Sequence, residues 1–356
     1  MIKYIQVYRS LRRDITGHHY KPDDKLPPVL KLMAQFKASC CTVQHALNML
    51  EKEGLIQGVP SQGLFVRNSE ESALYGSRTR KKEMKRVGVL LNRPSLTVIS
   101  GTPYIRDMVN SIGEILYRAG RHGYAIDVLN KSNHEVIREI NGLALDGLIC
   151  VEMEDKKLVR AIKQMKLPMV HCELVDARSN DLMVLADHFH GGELTAQKLA
   201  QLGHKRVLFI HGHKKKEQAT DPTNVLRWQG IQQSANKAGI SAHQAFIPMD
   251  SGKSAVIDGL IQKALQEHAD CTGIISNSYI INTARKGLVA WAAGKGPAMD
   301  LVVFDVPDSP LIIGNKPAWF CYWDAREMGK LAAQILLGTA KSGPRMRFLP
   351  MQISKG

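Results

Sequence analysis

Lys25-Leu26-Pro27-Pro28 opens a stretch that continues through an apolar helix into Ala38-Ser39-Cys40-Cys41-Thr42-Val43-Gln44-His45-Ala46-Leu47. It closes on Glu53-Gly54-Leu55-Ile56 and Gly63-Leu64-Phe65-Val66. The order is a helix, a short turn, a second helix capped by Ser39, and a glycine-broken strand pair. Together these predict a helix-turn-helix followed by a β-wing. Such an arrangement exposes the first turns of the Ser39 helix and braces them with the helix before it.

Upstream, residues 4–16 place Tyr4, Ile5, Tyr8, Leu11 and Ile15 on one helical face, with Arg9, Arg12 and Arg13 mostly off it. Gly17 ends that helix, and Pro22-Asp23-Asp24 predicts a turn. Leu30, Met33 and Phe36 are expected on the inner face of the second helix, and Val43, Leu47 and Leu50 on that of the third. Cys41, Gln44, His45 and Asn48 then fall nearer the outside. Ser61-Gln62-Gly63 reads as the tip of the wing.

Charge points the same way. The 356 residues hold 48 Lys and Arg against 33 Asp and Glu, a net +15. Residues 1–66 carry nine basic against five acidic groups, and residues 67–86 seven against three, so +8 of the total lies in that first part. A polyanionic partner at the amino-terminal end follows, nucleic acid or an anionic membrane surface, and the asymmetry favours nucleic acid. No apolar run approaches the ~18 residues of a membrane span, and Met1-Ile2-Lys3-Tyr4 enters a charged helix without a secretory signal. The six cysteines lack metal spacing, and Cys150, Cys172 and Cys271 sit in apolar runs. Reduced, buried thiols in a cytoplasmic protein are the expectation.

Residues 67–86 are polar, charged and aperiodic and are expected to be a linker whose basic half, Arg78 to Lys82, either follows phosphates or is a solvated tether. From Val87 strands and helices alternate to Phe304. Strands are expected at 87–91, 125–129, 146–150, 169–170, 206–210, 244–248, 273–275 and 301–304, with amphipathic helices between them. That alternation predicts an α/β class with parallel sheets covered on both faces, in two successive doubly wound lobes. Ligands are then expected beyond the carboxyl ends of the strands, in the cleft between lobes.

Residues 1–66 resemble the winged helix-turn-helix domain of the GntR family of bacterial transcription regulators, through Tyr4, Tyr20-Lys21-Pro22, Lys25-Leu26-Pro27, Leu32, Phe36, Ser39, Thr42-Val43, Ala46-Leu47, Glu53 to Ile56, Gly63 and Phe65-Val66. The resemblance implies DNA contacts from Arg9, Lys25, Lys31, Lys37, Ser39, Cys41, Thr42, Gln44, His45, Gln62 and Gly63. It also marks departures. Family members usually carry arginines at the positions of Leu30, Cys40 and Gln44, and glycines at those of Asp23 and Ser61. An arginine on a guanine edge is worth ~1–3 kcal/mol of discrimination, so a changed DNA code is expected. Gln44 can still read adenine through its amide.

Residues 87–356 look like the LacI/GalR effector domain, a two-lobed fold of the type I periplasmic-binding-protein kind. The motifs are Val184-Leu185-Ala186-Asp187, Gly191-Gly192-Glu193-Leu194, Leu202 to Val207, Arg227-Trp228-Gln229-Gly230, Ile275-Ser276-Asn277, Val302 to Asp305 and Glu327-Met328-Gly329. By the match, Asp187, Arg227, Asn277 and Asp305 would bind a ligand, with Trp323 and Tyr322 offering a sugar-stacking face or packing a hinge. Carboxylates accept pairs of hydroxyls while Arg and Asn donate to oxygens, which suits a carbohydrate. Each residue taken alone also fits an ordinary loop cap or surface pair. Ser278 and Val303, where the family usually has an acid and a glycine, leave room for a modified sugar or another small molecule.

Several patterns are declined. His188 with His190 and His211 with His213 lack further metal ligands nearby. Ser251-Gly252-Lys253-Ser254 lacks a phosphate loop's upstream glycine and strand, and Lys214-Lys215-Lys216 reads as a solvated loop. Adjacent Cys40 and Cys41 would bridge only with strain. No nucleophile or acid–base set converges, so the expectation is a non-enzymatic, cofactor-free homodimer with three parts: residues 1–66, 67–86 and 87–356. It would bind operator DNA, as a repressor, under control of a small sugar-like ligand that closes the two lobes. The alternative is a ligand-independent dimeric DNA-binding protein whose lobes serve only dimerisation.

Overall fold

The computed structural model describes residues 3–17, 19–53, 55–59, 63–67, 84–92, 103–129, 131–153, 155–173, 181–213, 221–249, 253–283, 291, 294, 299–306, 311–313, 316–341, 343 and 345–356. It divides into two compact units. The first takes Met1–Asn92, Ile115–Leu185 and Leu331–Arg347; the second takes Arg93–Glu114, Ala186–Lys330 and Phe348–Gly356.

The amino-terminal part of the first unit is α1 (Lys3–Thr16), α2 (Val29–Phe36), α3 (Cys40–Lys52), β1 (Ile56–Val59) and β2 (Gly63–Val66). The two strands pair antiparallel from Ile56 opposite Val66 to Val59 opposite Gly63. Val7, Tyr8, Leu11, Ile15, Leu32, Val43, Leu47, Leu50, Ile56 and Val66 are buried, so the two strands and three helices share one small core. Lys37 ends α2 in the left-handed conformation at φ 46° and reverses the chain. Ser39 then caps α3, its Oγ accepting from the Thr42 amide at 3.3 Å.

Three expectations need correction here. Leu30 is 77% exposed, and Leu32 fills the core instead. With α2 starting only at Val29 after Pro28, the helical phase that buries Leu32 turns Leu30 outward. Arg12 is no free surface cation, because its Nε donates to Glu53 Oε1 at 2.7 Å while Tyr8 donates to Oε2 at 2.6 Å. Burial pushes the Glu53 carboxyl above the usual range, with Arg12 and Tyr8 pulling it back. His45 is half-buried, its ring edge-on to Tyr4 at 4.3 Å between centroids.

From Arg86 the chain alternates: β3 (Arg86–Leu91), α4 (Pro103–Arg118), β4 (His122–Asp127), α5 (Asn133–Gly142), β5 (Gly147–Val151), α6 (Lys156–Gln164), β6 (Met169–Cys172) and β7 (Leu182–Ala186). There follow α7 (His188–Gln201), β8 (Arg206–His213), α8 (Pro222–Ala238), β9 (Ser241–Pro248), α9 (Ser254–Glu267), β10 (Gly273–Asn277), α10 (Ser278–Thr283) and β11 (Asp300–Phe304). The last elements are β12 (Ile312–Ile313), β13 (Lys316–Pro317), β14 (Trp319–Tyr322), α11 (Ala325–Leu337), β15 (Met346–Leu349) and β16 (Gln352–Lys355).

Helix starts follow local capping chemistry. Ser132 and Glu135 form a reciprocal capping box on α5, and Asp155, Asp187 and Asp221 accept amides at the starts of α6, α7 and α8. The strands assemble into two six-stranded sheets, ordered β15-β7-β6-β5-β3-β4 and β16-β14-β11-β10-β8-β9. In the second, β9, β8, β10, β11 and β14 are parallel and β16 antiparallel. The α/β class with two parallel-dominated sheets is as expected. Sequence reading missed β7, β14, β15 and β16, and it placed β4 at 125–129, where Leu129 is in fact exposed. As an edge strand, β4 begins on exposed His122 and Gly123, so its apolar pattern is weak. Cys150, Cys172 and Cys271 are free, buried thiols, and burial pushes the Cys150 thiol up to about 12.

Candidate functional site

Two surfaces carry the candidate residues. On the winged helix, Lys25, Lys31 and Lys37 are exposed, and none joins an ion pair among the described residues. Lys25 Nζ lies 6.0 Å from the Phe65 ring centroid, and the Lys25 stem passes 3.1 Å from where a Gly63 side chain would start. Gly63 itself sits at φ +113°, which only glycine adopts readily. Ser39 and Thr42 share a 2.8 Å hydroxyl contact on the exposed start of α3. Gln44 is exposed and its Nε2 donates to Asn48 Oδ1 at 3.2 Å. Arg9 is half-buried with its guanidinium nitrogens covered, so its expected phosphate contact has little open cation to use. The Cys41 side chain and Gln62 lie outside the described residues. The exposed surface thus pairs three lysines with uncharged Leu30, Cys40 and Gln44.

All five sequence-predicted ligand residues fall in the second unit. Arg227, Asn277, Asp305 and Trp323 lie at or beside the carboxyl ends of its strands, whereas Asp187 follows β7, a strand of the other sheet. Asp187 follows β7 and caps α7, its Oδ1 accepting from the His190 amide at 2.9 Å. Arg227 on α8 is only 4% exposed. Its position comes from a close helix crossing: a Cβ on Gly192 would meet the Arg227 carbonyl at 2.0 Å, and one on Gly230 the Phe189 carbonyl at 2.0 Å. The guanidinium carbon lies 4.2 Å over the Phe304 ring, and Nη2 is 3.6 Å from Asp305 Oδ1. Asp305 ends β11 at φ +70°, a conformation costing a non-glycine residue roughly 1 kcal/mol or more. Asn277 ends β10 and donates from Nδ2 to Asn224 Oδ1 at 3.1 Å. Trp323, after β14, is 7% exposed between the rings of Tyr104 and His188, at 5.3 and 5.8 Å.

The buried polar atoms here that lack a hydrogen-bond partner among the described residues include Arg227 Nε, Asn277 Oδ1, Ser276 Oγ and Trp323 Nε1. Leaving such an atom unpaired costs ~1–3 kcal/mol. Two donors, one acceptor and one hydroxyl on residues at or beside the carboxyl ends of the second unit's strands are the kinds of group a small polar ligand satisfies.

Sequence reading missed Asp221, Asn224, His211 and Ser276. Asp221 Oδ2 accepts from Asn224 Nδ2 at 3.2 Å, extending the Asn277–Asn224 chain to the start of α8. His211 lies near the end of β8, stacked on Phe209 at 4.9 Å. Burial lowers its pKa, opposed by a Gln244 hydrogen bond and the Asp221 charge. Asp221-Pro222 was a legible N-cap with proline at the first helical position, so the start of α8 could have been placed at the carboxyl edge. Ser276 had no such signal.

A winged helix followed by two parallel-dominated α/β sheets defines the class. Residues 85–297 match the family described as periplasmic binding proteins and sugar binding domain of LacI family, and the chain belongs to it; residues 3–66 match the bacterial regulatory proteins of the gntR family. The HTH-type transcriptional repressor PurR of Histophilus somni (strain 129Pt) is 26% identical, over 52% of this chain and 58% of its own. The arabinose metabolism transcriptional repressor of Geobacillus stearothermophilus is 26% identical, over 58% and 55%. The chain thus spans about half the length of the curated relatives it matches. A LacI family regulator from Enterococcus faecium, solved with bound ribose, shares the fold at TM-score 0.57 and 19% identity, over 76% of this chain and 97% of its own. No helix among the described residues is long and apolar enough to cross a membrane.

Proposed function

We propose that this protein is a DNA-binding transcription regulator, a repressor acting as a homodimer, whose hold on operator DNA is set by a small polyhydroxylated ligand. The ligand site is the carboxyl edge of the second unit's sheet. The observation that carries this reading is the group of buried, unpartnered polar atoms on Arg227, Asn277, Ser276 and Trp323. The family's sugar-binding description and the arabinose repressor among the relatives support the ligand class. The exposed lysines and capped, solvent-facing start of α3 support the DNA end. A ligand shifts the operator affinity only by its unequal affinity for the two states.

The test is calorimetry of the full chain with pentoses, hexoses and uronic acids, paired with operator binding in the presence of each. One sugar is expected to bind and change operator affinity, and Asn277→Ala is expected to lose that binding at least tenfold while keeping DNA affinity. Intact DNA binding with silence across the panel would favour a ligand-independent dimeric DNA-binding protein. Trp323, largely covered by Tyr104 and His188, is the observation on that side.

A further inference from the structure

The recognition surface of α3 has an unusual composition for a base-reading helix. It contains no arginine, and its one lysine, Lys52, is its last residue. The exposed amide groups are Gln44 and Asn48, one helical turn apart. They are joined: Gln44 Nε2 donates to Asn48 Oδ1 at 3.2 Å. This is an i, i+4 pair of a kind known to hold on helix surfaces.

The bond has a consequence for what Gln44 can present. A primary amide has two N–H donors and one carbonyl acceptor. With one N–H committed to Asn48, Gln44 offers one N–H beside its Oε1. Adenine shows the major groove an acceptor at N7 beside a donor at N6, which complements that edge. Guanine shows two acceptors, N7 and O6. Meeting both would need both N–H groups of Gln44, so the Asn48 bond would have to break. In a groove from which water is expelled, the freed Asn48 oxygen would find no replacement donor.

Resting on the DNA-binding reading above, we infer that Asn48 is a positioning residue that locks the Gln44 amide in the orientation that reads adenine and rejects guanine. Gln44 touches the base; Asn48 acts through it. The operator half-site therefore carries an adenine opposite Gln44.

The experiment is selection of bound duplexes from a random pool by the full-length protein, followed by titration of the selected site and its single-base variants. The wild type is expected to select adenine at one position per half-site and to lose about fivefold or more in affinity when it becomes guanine. Gln44→Ala is expected to abolish that preference. Asn48→Ala is expected to reduce it below about twofold by freeing the amide to rotate. Asn48→Asp keeps the acceptor, so it should retain the ratio while weakening all sites through its charge. Binding of unrelated duplex and its salt dependence should be the same for Asn48→Ala and wild type, which a merely structural role for Asn48 would not predict. An adenine preference that survives Asn48→Ala, or a selected guanine at the Gln44-dependent position, overturns the assignment alone. Failure of the wild type to retain any duplex at low salt sinks the DNA-binding reading and the assignment with it.

Discussion

His211 lies near the end of β8 among aromatic rings, stacked on Phe209 and edge-on to Phe246 at 5.6 Å. Its pKa is lowered by burial, so the folded chain holds it neutral more firmly than the unfolded chain does. The sign follows from linkage. A lowered imidazole pKa contributes stability above the ordinary value near 6.5, and that contribution drains away as pH falls through the folded value. Thermal unfolding is therefore expected to lose stability as pH falls below the ordinary imidazole value of about 6.5, and His211→Asn is expected to flatten that loss. Identical pH profiles for the two proteins would count against it. The residue was visible in the sequence only as half of a declined metal pair. Its aromatic surroundings come from Phe209 on its own strand and Phe246 on β9, and only the first is local.

At the scale of elements, the pairing of α7 with α8 shows what a motif hides. Gly191-Gly192 and Gly230 were legible as markers of a resemblance, yet their physical work is to let two helix backbones touch. A side chain at Gly230 would meet the Phe189 carbonyl at 2.0 Å and the Glu193 amide at 2.9 Å, both backbone and unable to step aside. Gly230→Ala is expected to lower stability by about 3 kcal/mol and to displace Arg227 from Phe304. A chemical denaturation midpoint indistinguishable from wild type would contradict this. The same scale explains α2 and α1. The amphipathic face of an eight-residue helix is ambiguous by a turn's phase, so Leu30 and Leu32 exchanged places. Arg12 falls off the apolar face of α1 in the sequence, and nothing near it in the chain announces Glu53, 41 residues away.

For the whole molecule, the uneven charge is the property with the longest reach. Over half of the net +15 precedes residue 87, and Lys25, Lys31 and Lys37 stand exposed there without ion pairs among the described residues. Each lysine that neutralises a phosphate contributes about −0.9 to the slope of log affinity against log salt. Lys31→Gln and Lys37→Gln are each expected to shallow that slope by about 0.9 per bound chain, while Leu30→Arg, on an exposed position, should steepen it by a similar amount. A slope unmoved by all three would mean that this face does not meet the DNA backbone.

The sequence alone determined the order of most elements as far as Phe304, the capped start of α3, and the change from a small helical head to alternating strands and helices. Those features rest on periodicity, caps and glycine placement, which act over a few neighbouring residues. Only the tertiary structure decided that Arg12 serves Glu53, that Leu32 rather than Leu30 is core, and that Asn277 reaches Asn224 across 53 positions. It also decided which polar atoms beside the carboxyl ends of the second unit's strands remain without partners among the described residues. Such outcomes depend on which distant segments are brought into contact, and a burial or a hydrogen bond between them leaves no local trace in the chain.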